Sequence, residues 1–186
     1  MKRKLTLVLT LATAMIAFAR QPEQGYRGFV ESTTSVTREP SFFPNVKENC
    51  WYTGLSTSHG YQFTPWLFVG PGVSLEYNHN YGQYIAPLFL DIRGDAKWGV
   101  ATPYADMKIG YNMCSGGGLY FSPTVGYRFN WGRKVGINVG AGLTLRGKRV
   151  ETFDVILGDN GYYEMIYTGA IHKVDAMFSI RVGIDF

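Results

Sequence analysis

The chain has 186 residues, 18 of them Lys or Arg and 14 Asp or Glu, with a pI near 9.0. That length suits one domain. Three of the basic residues, Lys2, Arg3 and Lys4, head the N-terminus; without them 15 basic residues face 14 acidic ones, a net charge of +1, which leaves a nucleic-acid partner without support.

The basic head precedes a mostly apolar run, Leu5 to Phe18, and Ala17-Phe18-Ala19 fits the small-x-small cleavage rule. Residues 1–19 therefore read as a secretory signal peptide, the run being short for a spanning helix, and 20–186 as the mature domain. No Cys follows the cleavage point, so a lipoprotein is not expected. Beyond the signal there is no long apolar run. Hydropathy alone describes a soluble exported protein, but transmembrane barrels escape that test because their strands alternate. A charged fraction of 17% lies below the usual ~25%, and 23 glycines and 16% aromatics suit such a barrel.

Eight strands follow in order. Strand 1, Gly25 to Thr34, sets Tyr26, Gly28 and Val30 against Arg27, Phe29 and Glu31; the alternation is weak and leaves its facing open. Ser35 to Asn49 is polar, contains Pro40 and Pro44, and reads as a loop. Strand 2, Cys50 to Phe63, puts Leu55, Thr57, His59, Tyr61 and Phe63 on one face and Ser56, Ser58, Gly60 and Gln62 on the other; Thr64-Pro65-Trp66 turns tightly. Strand 3 runs from Leu67 to Tyr77 and strand 4 from Tyr84 to Arg93, with a short loop at Asn78 and a turn over Gly94 to Gly99. Strand 5 spans Val100 to Met113, and Gly116-Gly117-Gly118 connects it to strand 6, Leu119 to Asn130. Trp131 to Lys134 turns into strand 7, Val135 to Arg146. Gly147 to Gly169 is the longest connection and has room for a hairpin extension of strands 7 and 8. Strand 8, Ala170 to Phe186, is the clearest of all: His172, Val174, Ala176, Phe178, Ile180, Val182, Ile184 and Phe186 share one face, and Ile171, Lys173, Asp175, Met177, Ser179, Arg181, Gly183 and Asp185 lie opposite.

The expected fold is all-β, an eight-stranded antiparallel up-and-down transmembrane β-barrel. The connections after strands 2, 4 and 6 are tight and those after strands 1 and 7 long, as in an outer-membrane barrel. Trp66, Trp98 and Trp131 fall in the three tight turns and would form one aromatic girdle at the periplasmic interface. Glu76, Asp91, Arg93, Asp106, Lys108, Arg128, Arg146, Lys173, Asp175 and Arg181 oppose the apolar faces. A lumen ~8 strands wide holds little more than side chains, so these charges must pair, and the expectation is a plugged lumen. Pro71, Pro87 and Pro123 fit poorly, because each falls inside a strand pattern and cannot donate to a ladder.

"GYRGFVE" at Gly25, "TSHGYQFTPWLFVGPGVSLEY" at Thr57 and "FSIRVGIDF" ending at Phe186 resemble the small outer-membrane β-barrel proteins common in Bacteroidetes, which are distantly similar to the OmpA transmembrane domain and OmpX. The resemblance covers the mature chain. It implies an eight-stranded barrel in the cell outer membrane, often labelled porin-like, with no catalytic motif to carry over. The terminal Phe186 resembles the signal read by the barrel-assembly machinery.

Other candidates are weaker. His59 beside Ser56 and Ser58 offers a Ser–His pair for acyl transfer, with no matching acid in view. His79 and His172 have no metal spacing. Cys50 and Cys114 both fall at the outer rim on non-neighbouring strands, which favours free thiols over a disulfide. Gly116-Gly117-Gly118 precedes no helix and is no phosphate cradle. Asp154, Asp159 and Glu164 near Asn160 read as a solvated loop rather than a Ca²⁺ site.

No enzyme activity, cofactor or metal is expected. The partners expected are outer-membrane lipid, lipopolysaccharide and the barrel-assembly machinery, with the protein a monomer. Its role is structural or surface-interacting, with the outer loops Ser35 to Asn49 and Gly147 to Gly169 carrying contacts. The alternatives are a narrow porin, for which Gly70, Gly72, Gly126, Gly136, Gly140 and Gly142 leave room, a lipid A-modifying enzyme using His59, and a soluble lipocalin-like carrier with its apolar faces inside.

Overall fold

The computed structural model describes residues 24–40, 47–96, 101–114, 117–131, 135–157 and 163–186. Nine strand segments occur among them: β1 Gly25–Pro40, β2 Lys47–Thr64, β3 Leu67–Asn78, β4 Gln83–Ile85, β5 Pro87–Asp95, β6 Ala101–Asn112, β7 Gly118–Trp131, β8 Val135–Leu157 and β9 Tyr163–Asp185. β4 and β5 keep one register against β3 across Ala86, whose carbonyl accepts from the Met113 amide, so they form a single stave. Each stave pairs antiparallel with its neighbours, and β1 meets both β2 and β9, closing an eight-stranded barrel.

The stagger of the barrel follows from its pairings. From Tyr120 the partners run Gly110, Phe89, Gly72, Ser58, Phe29, Asp185, Gly136 and back to β7 at Asn130, ten residues from the start. Ten residues at ~3.3 Å each, against eight strands at ~4.8 Å spacing, tilt the staves by about 40°.

The two faces of the wall are opposite in chemistry. Leu55, Val73, Leu75, Leu88, Leu90, Ile109, Val125, Val139, Leu143, Phe178, Ile180 and Val182 point outward and are exposed. No Asp, Glu, Lys or Arg occupies an outward position of the wall among the described residues between Trp51 and Tyr61 on β2 or at the same heights on the other staves. Aromatics border this belt at both rims: Tyr26, Tyr61, Phe63, Trp66, Tyr127 and Phe129 at the rim bearing the chain ends, and Trp51, Tyr84 and Tyr111 at the opposite one. Trp51 and Tyr61 are ten residues apart on one strand, about 25 Å along the barrel axis at that tilt. Trp66 is exposed at the β2–β3 turn as expected; Trp98 and the side chain of Trp131 lie outside the described residues, as does the signal segment.

The three prolines are accommodated by gaps in the ladders. The β2–β3 ladder skips from Ser58↔Gly72 to Tyr61↔Val69, omitting the partner of Pro71. The β3 pairings jump from Leu88 to Ile85, passing Pro87. The β7–β8 ladder skips from Phe121↔Leu145 to Thr124↔Gly142 at Pro123, and the freed Leu143 carbonyl accepts from the Ser122 hydroxyl at 3.2 Å. Each proline stays paired with the strand on its other side, so no free edge is needed.

The loop predicted over Ser35 to Asn49 is shorter than the sequence suggests, and Gly147 to Gly169 holds the hairpin extension for which it has room. Ser35 to Asn49 is strand up to Pro40 and again from Lys47, and Gly147 to Gly169 is mostly a hairpin reaching Leu157 and resuming at Tyr163. Runs of Thr, Val and Ile with a partner alongside outweigh the polar composition, and Pro40 is tolerated at a strand end. The turn from β3 to β4 is set by Asn78, whose side-chain oxygen accepts from the Asn80 and Tyr81 amides, with Gly82 left-handed at φ +64.

Beside the Pro71 gap the backbones of β2 and β3 nearly touch, and a Cβ on Gly70 would stand 2.4 Å from the His59 carbonyl oxygen. Gly70→Val is expected to destabilise the barrel by more than about 2 kcal/mol, read as a lower urea midpoint for the compact, heat-modifiable gel form.

Candidate functional site

The inner face of the wall carries the charge. Arg27, Arg93, Lys108, Arg128, Arg146 and Arg181 are buried with Glu31, Glu76, Asp91, Asp95, Asp106 and Asp185, six charges of each sign. Period two puts them there. Each stave alternates, and once the barrel is closed every second residue of all eight converges on one narrow axis.

At the end near the termini, Asp185 is the hub. Arg128 engages it at 2.8 Å and Arg27 at 3.1 Å, and the Asn138 amide donates to it at 3.0 Å. Arg27 also pairs with Asp95 at 2.5 Å and donates to Gln62 at 2.9 Å. Arg93 links this tier to the next. It reaches Asp95 at 3.3 Å and Glu31 at 3.8 Å and donates to Asn138 at 2.5 Å, while its guanidinium lies 3.5 Å over the Tyr104 ring. Phe29 sits 4.6 Å beneath both Arg27 and Arg93 and packs edge-on against Phe68. In the middle tier Glu31 accepts from Lys108, Asp106 pairs with Arg181 at 3.1 Å, and Asp91 accepts from the Ser58 hydroxyl at 2.7 Å. Above them Glu76 pairs with Arg146 and faces Tyr120, and Cys50, Tyr52, Ile85 and Met177 form a small buried apolar cluster.

Charges of both signs at this density hold each other. A buried ion is costly unless paired and hydrogen-bonded, and five of the six carboxylates have a cation within ion-pair distance. The exception is Asp91, whose second oxygen is buried without a hydrogen-bond partner among the described residues.

The interior glycines serve as sockets. A Cβ on Gly72 would strike the Phe89 ring at 2.4 Å, one on Gly140 the Tyr104 hydroxyl at 2.4 Å, and one on Gly136 the Arg128 and Asp185 side chains. Tyr104 lies across Gly126 and Gly140 on two neighbouring staves. The room these glycines make is filled by rings and charged groups from the adjacent or next stave, Phe89 being the ladder partner of Gly72 and Asp185 that of Gly136.

Eight of the ten predicted lumen residues lie in this interior: Glu76, Asp91, Arg93, Asp106, Lys108, Arg128, Arg146 and Arg181. Lys173 is exposed, and half-buried Asp175 pairs with Lys148 at 2.6 Å; both stand on β9 above the last β1 pairing, in the free part of the β8–β9 hairpin. Four members were missed: Arg27, Glu31, Asp95 and Asp185. Asp185 already lay on the polar face of the last strand, and Glu31 stands two residues from Phe29 on a strand whose facing was open.

Ser56 and Ser58 point into the lumen, whereas His59 points outward and bonds Tyr26 at 2.5 Å and Thr57 at 2.8 Å. The Ser–His pair required for acyl transfer is therefore not assembled. Phe186, on the outward face, exchanges two backbone hydrogen bonds with Gly28 across the β1–β9 seam, and its ring covers Gly28 and meets His59 edge-on. Cys50 is buried and Cys114 exposed, and no disulfide joins them. Asp159 and Asn160 lie outside the described residues, as do the side chains of Asp154 and Glu164; among the described residues no cluster of metal-ligating side chains occurs.

No known family model matches the chain, and no curated protein matches it in sequence.

Asp185→Ala leaves Arg27 and Arg128 short of their shared carboxylate in a buried site, and a loss of about 3–5 kcal/mol is expected in urea unfolding. Exposed Lys173→Ala is expected to change the same midpoint by less than about 0.5 kcal/mol.

Proposed function

We propose that the chain is an integral outer-membrane β-barrel protein with a structural or surface-interaction role and a lumen plugged by ion pairs. The rim bearing the chain ends faces the periplasm, and the β1–β2 and β8–β9 hairpins face outward. The observation that carries this reading is the inside-out distribution of charge: twelve charged side chains buried on the axis, and an outer belt rich in Leu, Val and Ile that carries no Lys, Arg, Asp or Glu among the described residues. One Lys or Arg on a lipid-facing wall costs ~2–4 kcal/mol at the midplane, so their exclusion from the belt is what a bilayer demands. The belt is about 25 Å tall between its aromatic rims, which matches the hydrocarbon span of such barrels. A soluble carrier needs the reverse arrangement, with the apolar face inward. The resemblance of the sequence to small outer-membrane barrels supports the same reading.

The plug rests on the paired tiers and on the filled glycine sockets. Expressed protein is expected in the outer-membrane fraction as a band whose gel mobility shifts on boiling. Recovery from the periplasm without detergent overturns the membrane reading. In planar bilayers the folded protein is expected to be silent. Steady, reproducible single-channel steps replace the plug with a narrow porin.

A further inference from the structure

The β8–β9 hairpin outgrows the barrel. β8 pairs with β7 only as far as Arg146, and β9 pairs with β1 only as far as Phe178, yet β8 and β9 pair with each other up to Leu157↔Tyr163. Above the rim the ribbon therefore has two strand edges with no neighbour among the described residues. On the β9 side the free backbone groups can be assigned. Gly28 and Phe186 exchange both of their hydrogen bonds, and the register to Val36↔Phe178 is unbroken, so even-numbered β9 residues face β1 and odd-numbered ones face β8. Above Phe178 the carbonyl of Ala176 accepts from the Thr37 hydroxyl at 2.7 Å. Beyond it, the N–H and C=O groups of Val174 and His172 point out along the open edge.

The side chains on this edge are unbalanced. Lys173 stands directly opposite Lys148 in the ladder, a like-charge pair that disfavours the ribbon. Lys148 leans to Asp175 at 2.6 Å, and Lys173 is left exposed with no carboxylate among the described residues. On the other face of the same strand Val174 is 69% exposed. An open edge is ordinarily blunted by charge or irregularity. Here a regular stretch offers two backbone pairing positions, one unmatched cation and one bare apolar side chain.

We infer that the β9 edge around His172–Val174 takes up an extended strand from another protein, one that alternates acidic and apolar residues and sets a carboxylate beside Lys173. Backbone hydrogen bonds supply affinity, and the acidic and apolar faces supply selectivity. The inference rests on the surface-interaction reading above. That reading is judged separately by fractionation and heat-modifiability, so failure of strand binding leaves the membrane barrel standing.

The test uses the folded full-length barrel in detergent and a labelled eight-residue peptide of alternating Val and Asp, against its Val/Lys counterpart. The Val/Asp peptide is expected to bind at least about fivefold more tightly. Lys173→Glu is expected to reverse the order. Val174→Pro is expected to abolish binding of both peptides while the boiling-dependent gel shift persists, because the amide it removes faces away from β8. Equal binding of the two peptides, or unchanged binding to Val174→Pro, overturns the inference. Self-association in sedimentation that Val174→Pro abolishes also overturns it, by assigning the edge to a second copy of the chain.

Discussion

Everything in this barrel depends on six cations and six carboxylates buried along one narrow axis. Closing eight staves with a ten-residue stagger leaves an interior only wide enough for side chains. Once closed, that interior must be neutral in sum and paired in detail, because an uncompensated ion there costs several kcal/mol. Arg93 makes the demand concrete. Only 1% exposed, it touches Phe29 and Glu31 on β1, Asp95 on its own stave, Tyr104 on β6 and Asn138 on β8, so one side chain ties four staves together. Bonds of this kind cross the barrel rather than run along its wall, so they fix the staves against one another in a way a backbone ladder does not.

Packing and electrostatics are solved with the same residues. Four of the six cations lie over aromatic rings: Arg27 and Arg93 over Phe29, Lys108 over Phe89 and Arg146 over Tyr52, with Arg93 over Tyr104 as well. The rings fill volume that ion pairs alone would leave open, and their faces are attractive to cations. The glycines opposite these bulky groups let them lie flat against the wall. A glycine-rich strand is therefore compatible with a full lumen.

Period-two alternation made most of this legible in the sequence. It separates the two faces of β3, β6, β7, β8 and β9 almost residue by residue, because one face must be apolar throughout and the other must not. What it cannot show is where a strand stops pairing. Lys173 and Asp175 continue the alternation of Arg181 and Ser179, yet they stand where β1 has already left β9, and Lys173 is exposed there. Nor does it show which polar residues meet. Arg27 and Asp185 are 158 positions apart and touch only because the first and last staves close the barrel. Asp95 was lost for the opposite reason: it lies in a stretch that reads as a turn, beside Gly94, and pairs with Tyr104 only because β5 runs two residues further than its pattern suggests. The prolines are a third case. A single strand pattern cannot reveal that one of its two ladders is interrupted while the other holds.

The ribbon above the rim obeys a different rule from the wall beneath it. Within the wall, each side of a strand has one solvent, and selection for that solvent explains nearly every residue. Above the rim no lumen distinguishes one face of β9 from the other, and an alternating strand no longer gains stability by hiding either. Exposed Val174 and Ile171 on one strand, and Lys173 opposing Lys148, are poor choices for a spacer whose only task is to connect two staves. A short polar turn after Arg146 would connect them with less exposed apolar surface and no opposed lysines. The chain instead extends β8 and β9 well past their last barrel neighbours, holds their pairing through a bulge at Thr152 and Phe153, and leaves an edge with no neighbour among the described residues. The wall's self-contained charge network leaves that hairpin free of any part in holding the barrel closed.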